Sequence, residues 1–314
     1  MSRCLVTGGA GFIGSHLVAR LLAEGHSVAV FDDLSLGRRE HVPAAARFTQ
    51  ADLLDLEAVE KAVDGQDAVF HLAANSDIDF GRRQSDRDLR QGTLATYNVL
   101  EAMRRRGVKK LVFASTSAVY GETPAIALRE DYGPLLPISL YGASKLACEG
   151  LISAFAHNYG VQAWIYRFAN VVGANATHGA IFDFARKLKK DPKRLEVLGD
   201  GTQSKPYLLA SDVVDGMLFG FSHAGDAVNL FNLACEGGTS VAEIARIVVE
   251  EAGLSGVAVS YSGGKRGWVG DVPFVRMDPA KLAALGWKAR HDSTEAVRLA
   301  ARAVVAQVAQ SASL

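Results

Sequence analysis

A chain of 314 residues, 49% of them hydrophobic, can bury a large core without disulfides or metals to hold it. Its 34 Lys and Arg residues balance its 34 Asp and Glu residues to a formal net charge of zero, which argues against bulk attraction to nucleic acid or an anionic membrane as the basis of its function. Cys4, Cys148 and Cys235 are odd in number and widely separated, which suits reduced thiols in a cytoplasmic protein and fits neither a disulfide frame nor a metal site.

The elements follow in chain order. Apolar, β-branched runs at Cys4 to Thr7, Ser27 to Phe31, Ala68 to Leu72 and Lys110 to Ala114 read as strands. Between them, Ser15 to Glu24, Leu56 to Val63 and Thr93 to Arg106 carry helical periodicity. The first strand begins within three residues of Met1, where no signal peptide is expected, and no apolar run has membrane-span length. The basic cluster Arg104-Arg105-Arg106 with Lys109-Lys110 sits at a helix end, where cations complement the dipole, and reads as a solvated terminus.

A long helix from about Tyr141 to Tyr159 and a strand at Gln162 to Phe168 continue the alternation, which predicts an α/β fold with a doubly wound parallel sheet. After Val172 the pattern shifts to shorter elements with more Gly, Asp, Pro and Lys, up to Pro206. A helix near Ser211 to Phe221 and a strand near Val228 to Leu233 return to the first sheet. The expected division is residues 1–171 with about 207–234 as a dinucleotide-binding domain. About 172–206 with 235–314 form a smaller α/β substrate lobe, frayed only at Ser311 to Leu314.

The segment Thr7-Gly8-Gly9-Ala10-Gly11-Phe12-Ile13-Gly14 follows a strand and opens a helix, the context that makes a glycine pattern a dinucleotide fingerprint. Gly8 permits the tight turn, Gly11 lets backbone amides approach a pyrophosphate, and Gly14 lets helix and strand pack closely. The positive helix end then meets the diphosphate. Asp32 ends the second strand, where a carboxylate can accept from both ribose hydroxyls and would repel a 2′-phosphate, so NAD is favoured over NADP. Asp33 is the alternative ribose ligand, and Arg38 and Arg39 stand close by.

Asp52-Leu53 follows a third strand, and His71-Leu72-Ala73-Ala74 closes the fourth, positions that would line the adenine and the nicotinamide ribose. His71, at the end of a buried strand, reads as a packed core histidine. Tyr141 and Lys145 are four residues apart on one helical face. A phenol that ordinarily titrates near 10 needs a nearby positive charge to act as a base, and Lys145 is expected to supply it. Ser115-Thr116-Ser117 adds a hydroxyl able to bind the substrate oxygen that Tyr141 would deprotonate.

With these motifs the chain resembles the extended short-chain dehydrogenase/reductases, specifically the NAD-dependent nucleotide-sugar epimerase and dehydratase group. The resemblance rests on Thr7 to Gly14, Asp32, Asp52-Leu53, His71 to Ala74, Ser115 to Gly121, Tyr141 to Lys145, Arg167 to Gly173, Leu198 to Tyr207 and Arg266 to Asp271. It implies a Rossmann-like fold with Tyr141 as base, Lys145 as its electrostatic partner, and Thr116 as the bridging hydroxyl, with Ser117 the neighbouring alternative. The expected cofactor contacts also include Phe12, Ile13, Leu34, Ser35 and Gly37 near the fingerprint, with Ser115 and Phe168 near the nicotinamide.

The resemblance also orders the reactions. Relatives that eliminate water or carbon dioxide carry an acid shortly after the bridging hydroxyl; here Ser117 and Ala118 stand in its place. Transient oxidation remains: a 4-epimerase of the UDP-glucose/UDP-galactose type first, with the N-acetylated pair second. UDP-glucuronate would need a cation beside C6, for which Arg82, Arg83 and Arg186 are the candidates. A net NAD-linked oxidoreductase and a non-catalytic NAD-binding relative are the rivals.

Expected substrate contacts are Ser76, Thr116, Ser117, Asn170, His178, Gly179 and Tyr207. Arg266 and Asp271 join them, with Trp268 able to stack or to pack. Lys205 stands where relatives have Arg, and Pro206 where they have Asp; Leu89 replaces a common Asn. The helices at about Asp88 to Arg106 and Tyr141 to Tyr159 imply a homodimer, since family members commonly pair through them.

Overall fold

The computed structural model describes residues 1–76, 81, 83–124, 126–264 and 275–310. Contacts divide the chain into two compact units: Met1–Glu122, Glu130–Phe168 and Met217–Asn232 form one, and Thr123–Arg129, Ala169–Gly216 and Leu233–Leu314 the other.

Six strands of the first unit alternate with helices: β1 (Arg3–Thr7), β2 (Ser27–Asp32), β3 (Arg47–Gln50), β4 (Ala68–His71), β5 (Lys110–Thr116) and β6 (Gln162–Phe168). With strand Val228–Leu233 they make a seven-stranded sheet, ordered Val228–Leu233, β6, β5, β4, β1, β2, β3. β1 pairs in parallel with both β2 and β4, so the strand order reverses there. At such a switch point the loops leaving the two central strands diverge and open a crevice at their carboxyl ends. Those loops are the glycine turn after Thr7 and the segment starting at Leu72.

The strands read as continuous apolar runs because helices cover both sheet faces; Ala68–His71 is buried at every position. Helices α1 (Phe12–Ala23), α2 (Leu56–Val63), α3 (Ala95–Arg106) and α4 (Leu140–Tyr159) supply that cover. Leu5, Val69, Val99, Met103, Phe113 and Ile152 meet in one core cluster. Ser139 caps α4 by accepting from the Gly142 amide at 3.0 Å, and Gly160 ends it in the left-handed region at φ 65°.

Local patterns anticipate these elements well, with instructive differences. Leu56–Val63, Gln162–Phe168 and Val228–Leu233 have the expected bounds. Helix α1 starts at Phe12 rather than Ser15, since its first turn is built from the fingerprint itself. Helix α3 follows a π-helical turn, Leu89–Leu94, that the periodicity does not reveal. β3 is a largely exposed edge strand, so it lacks the apolar run that marks its neighbours.

In the second unit, strand Asn170–Val172 pairs in parallel with Tyr207–Leu209, Ser204–Lys205 runs antiparallel to Thr239–Ser240, and Arg194–Val197 pairs with Ala258–Tyr261. Helices Ala180–Lys190, Val241–Glu251 and Ser293–Gln310 pack beside them. Among the described residues, no helix is long and apolar enough to cross a membrane.

Candidate active site

The glycine turn is sterically specified. A Cβ on Gly8 would lie 2.7 Å from the Ala73 amide nitrogen, and Gly8 itself has φ +70°. A Cβ on Gly14 would lie 2.0 Å from the Gly8 carbonyl oxygen. Only glycine lets β1, α1 and the loop after β4 approach this closely. Gly11 differs: an added Cβ would meet a single atom within 4 Å, the Gly8 carbonyl oxygen at 3.2 Å, so its other side is open. Gly11 is the N-cap of α1, no side chain caps that helix, and its first turn has no acidic residue. The Phe12, Ile13 and Gly14 amides therefore head a helix whose positive end is suited to an anion.

Asp32 is distinguished from Asp33 by direction. The Asp32 carboxylate, 7% exposed, accepts from the Ala10 amide at 3.0 Å and the Leu34 amide at 2.9 Å. Burial raises its pKa from the ordinary carboxylate value, while these two amides oppose the rise. Asp33 instead accepts from the Ser35 amide at 2.8 Å in a local turn. Leu34 holds φ 63°, unusual for a leucine. Gly37 fits tightly against this corner, where a Cβ would lie 2.8 Å from Asp32 Oδ1. Arg39 is engaged elsewhere, donating to the Val42 carbonyl at 3.1 Å and lying 4.6 Å from the Phe48 ring centroid. Arg38 pairs with Glu40 at 3.7 Å. A diphosphate cradle beside an inward carboxylate fits a dinucleotide with a free ribose 2′-hydroxyl.

At the other edge of this turn, Leu72, Ala73 and Ala74 are half-buried, and the Ala73 amide lies 3.4 Å from Thr7 Oγ1. Asn75 is buried, and Ser76 is exposed. Asp52 accepts from the Leu54 amide at 2.9 Å, and the Leu53 carbonyl accepts from Asn98 at 2.9 Å. His71 is a core residue, as its position suggests. Its ring nitrogens lie 2.7 Å from Thr7 Oγ1 and 3.0 Å from Thr96 Oγ1. Burial, with Lys145 nearby, pushes its pKa down to about 3 and leaves it neutral.

Thr116, Tyr141 and Lys145 converge in the same unit. Thr116 ends β5, where its hydroxyl oxygen accepts from the Ala118 amide at 3.2 Å, and it is hydrogen-bonded with Tyr141. Ser117 begins the short turn Ser117–Tyr120 that follows. Lys145 is buried, its ammonium donating to the Ala114 carbonyl at 2.6 Å and lying 5.9 Å from the Tyr141 ring centroid. Phe168 is buried opposite Thr116 in the β5–β6 register.

The electrostatics differ from the expectation that Lys145 would lower the phenol. Burial pushes Tyr141 up to about 12, opposed by the Thr116 hydrogen bond and reinforced by Asp88. Burial also pushes Lys145 down to about 8, against Cys148, Glu149 and Asp88. Desolvation dominates both shifts because each charged form is costly in a dry site, and the ammonium is directed to the Ala114 carbonyl. The chain alone thus holds Tyr141 as a proton donor.

Several neighbours escape a reading of the sequence. The Ser115 hydroxyl, expected near the cofactor, donates its hydrogen to Glu149 at 2.5 Å. Glu149 also receives Arg167 in a buried bidentate pair, at 3.0 and 2.7 Å. The one-turn spacing Tyr141, Lys145, Glu149 is the signal that could have found it. Asp88 is buried, accepts from Asn75 at 3.0 Å and, through its carbonyl, from Ser144 at 2.7 Å. No sequence signal marks it.

Of the expected substrate contacts, the second unit places Asn170 directly opposite Tyr207 in adjacent parallel strands. Gly179, at φ 97°, heads helix Ala180–Lys190, and His178 Nδ1 lies 3.3 Å from Thr177 Oγ1. Lys205 sits opposite Thr239. Arg266, Trp268, Asp271 and Arg82 lie outside the described residues. Arg83 and Arg186 are exposed. Among the described residues no cluster of His, Cys, Asp and Glu is arranged for a metal ion.

Comparison with known proteins adds an independent line. The model of the NAD dependent epimerase/dehydratase family matches residues 4–234. A putative UDP-glucose 4-epimerase of Methanocaldococcus jannaschii is 33% identical over 300 residues, which cover 94% of this chain and 95% of the relative. A crystal structure of a UDP-galactose 4-epimerase is similar with a TM-score of 0.88 at 38% identity, over 97% of this chain and 99% of the other. The UDP-glucose 4-epimerase of Thermus thermophilus, solved in complex with NAD, is similar with a TM-score of 0.87 at 35% identity, over 96% and 98%.

Proposed function

The chain belongs to the NAD dependent epimerase/dehydratase family, and from that premise we propose that it is a UDP-sugar 4-epimerase of the UDP-glucose/UDP-galactose type. The observation that carries the reading is the convergence of Thr116, Tyr141 and Lys145 in the unit that holds the glycine turn, with Ser117 and Ala118 rather than an acid after the bridging hydroxyl.

The α1 N-terminus would hold the diphosphate of NAD, Asp32 its adenosine ribose, and Lys145 its nicotinamide ribose. When bound, NAD supplies the acceptor for the hydride leaving sugar C4 and its donor on the return, with no net redox change. Tyr141 takes the proton of the sugar 4-hydroxyl and gives it back; Thr116 holds that oxygen and the phenol in line. Lys145 keeps a positive charge one helical turn from the phenol. Without a carboxyl group at 117 or 118, the 4-keto sugar has no partner there for proton loss at C5, so it turns over rather than eliminates.

In the second unit, Asn170 and Lys205 are the proposed contacts of the nucleotide diphosphate and Tyr207 of its base, with His178 and Gly179 near the nucleotide. Lys205 acts as a point charge where a bidentate Arg is the family habit. The chain is proposed to be cytoplasmic, in keeping with three buried free thiols. A homodimer is proposed through α3, its preceding turn and α4, supported by exposed Leu89, Leu94 and Tyr97 on one element and Leu140 and Tyr159 on the other. A monomer in sedimentation at micromolar concentration would exclude that pairing.

The test of the activity is to incubate purified protein with UDP-glucose, UDP-N-acetylglucosamine and UDP-glucuronate. Products are resolved by chromatography while reduced cofactor is followed by absorbance. A 4-epimer without net NADH is expected; stoichiometric NADH would assign the protein to the net oxidoreductases instead.

A further inference from the structure

Three residues just behind the candidate site form a closed polar triad. Ser115 on β5 donates its hydroxyl to Glu149 Oε1 at 2.5 Å; Arg167 on β6 donates to Oε1 at 3.0 Å and to Oε2 at 2.7 Å. Ser115 and Arg167 face each other in the β5–β6 register, and Glu149 reaches them from α4. All three are more than nine-tenths buried. Arg167 is further fixed by the Glu130 carbonyl at 3.2 Å and lies 4.8 Å from the Tyr120 ring centroid.

Each member adjoins a residue of the proposed reaction. Thr116 follows Ser115, Phe168 follows Arg167, and Lys145 precedes Glu149 by one helical turn on the same face. The three elements that carry the site are thus tied together just behind it, one residue away on β5 and β6 and one helical turn away on α4. A buried ion pair is weak evidence for stability, since its desolvation cost offsets its attraction. What it does impose is geometry: a bidentate Arg–carboxylate pair admits one relative orientation of its two carriers, and the serine hydroxyl adds the third.

We propose that Ser115, Glu149 and Arg167 act as a positioning clamp for the epimerisation, holding the Thr116 hydroxyl in register with Tyr141 and Lys145. The proposal rests on the activity assigned above and deepens it. Substrate binding is spread over Asn170, Lys205 and Tyr207 as well as Thr116, whereas proton transfer depends on sub-ångström alignment of Thr116 and the phenol.

The decisive variant is Ser115→Ala, which removes one hydroxyl and leaves the buried ion pair intact. Expected is a loss of kcat of about tenfold or more with KM within about twofold of wild type, since a misplacement near 1 Å can cost about a hundredfold in rate. Ser115→Thr, which restores the hydroxyl, is expected to recover most of it. Glu149→Gln is expected to lower kcat further; should it fail to fold, the Ser115 pair alone decides. Wild-type kcat in Ser115→Ala, or a loss that Ser115→Thr does not recover, overturns the clamp while leaving the activity standing. A wild-type protein that epimerises no UDP-sugar removes the activity reading itself, and the clamp with it.

Discussion

Lys145 reaches past Tyr141: its ammonium lies 5.9 Å from the phenol ring centroid but donates to the Ala114 carbonyl at 2.6 Å, while Tyr141 stays protonated with its pKa pushed up to about 12. In the proposed mechanism a bound nicotinamide ring would add positive charge beside the phenol and favour its ionised form.

Tyr141→Phe removes the proposed proton acceptor and leaves the glycine turn untouched. Turnover is expected to fall by about 10² to 10⁴-fold, the usual contribution of a positioned acid–base group, with NAD affinity unchanged. Steady-state kinetics beside a titration of cofactor binding measure both; full activity in this variant would remove Tyr141 from the mechanism.

The two glycines of the turn should separate folding from binding. In Gly14→Ala the new Cβ meets backbone at 2.0 Å, and Tm is expected to drop by about 3 °C or more. Gly11 has an ordinary extended conformation, φ −79° and ψ −176°, with open space on one side. Gly11→Ala is expected to keep Tm within about 2 °C and yet weaken NAD binding about tenfold or more. Equal effects of the two changes on Tm would contradict this division.

Asp32 has a double role that one substitution should expose. In Asp32→Ala the Ala10 and Leu34 amides lose their acceptor, a cost of about 1–3 kcal/mol for groups this buried. The proposed ribose ligand is lost as well. Both a lower Tm and a narrower preference for NAD over NADP are expected, read by calorimetric titration of each cofactor.

His71 sets an acid limit. Its folded pKa of about 3 lies below its ordinary value of 6.5, so the unfolded chain binds the extra proton first. Its contribution is fully present above pH 6.5 and is lost as pH falls towards 3, at up to about 1.4 kcal/mol per pH unit. Denaturant unfolding of wild type and His71→Gln across that range should show a shallower slope for the variant; identical slopes would mean the imidazole titrates normally.

The parts of this protein that are legible in the chain are those set by neighbours in sequence. Helix Leu56–Val63 and strand Gln162–Phe168 follow from periodicity, and the glycine turn follows from where only a residue without a Cβ can stand. The four-residue spacing of Tyr141 and Lys145 puts them on one helical face before any tertiary contact forms. The π-helical turn Leu89–Leu94 is not legible in this way, because its conformation answers to packing rather than to its own apolar pattern.

The site divides along the same line. Residue types and spacing by themselves determined the sheet, the dinucleotide cradle and the identity of the proposed acid–base pair, since turn sterics and helical repeat act over a few residues. Only the tertiary structure decided that Ser115 serves Glu149, that Asp32 rather than Asp33 faces the turn, that His71 is neutral, and that Tyr141 is raised rather than lowered. Those outcomes depend on desolvation and on partners as distant in sequence as Thr7 and His71, and a charge's solvation is set by what surrounds it in space.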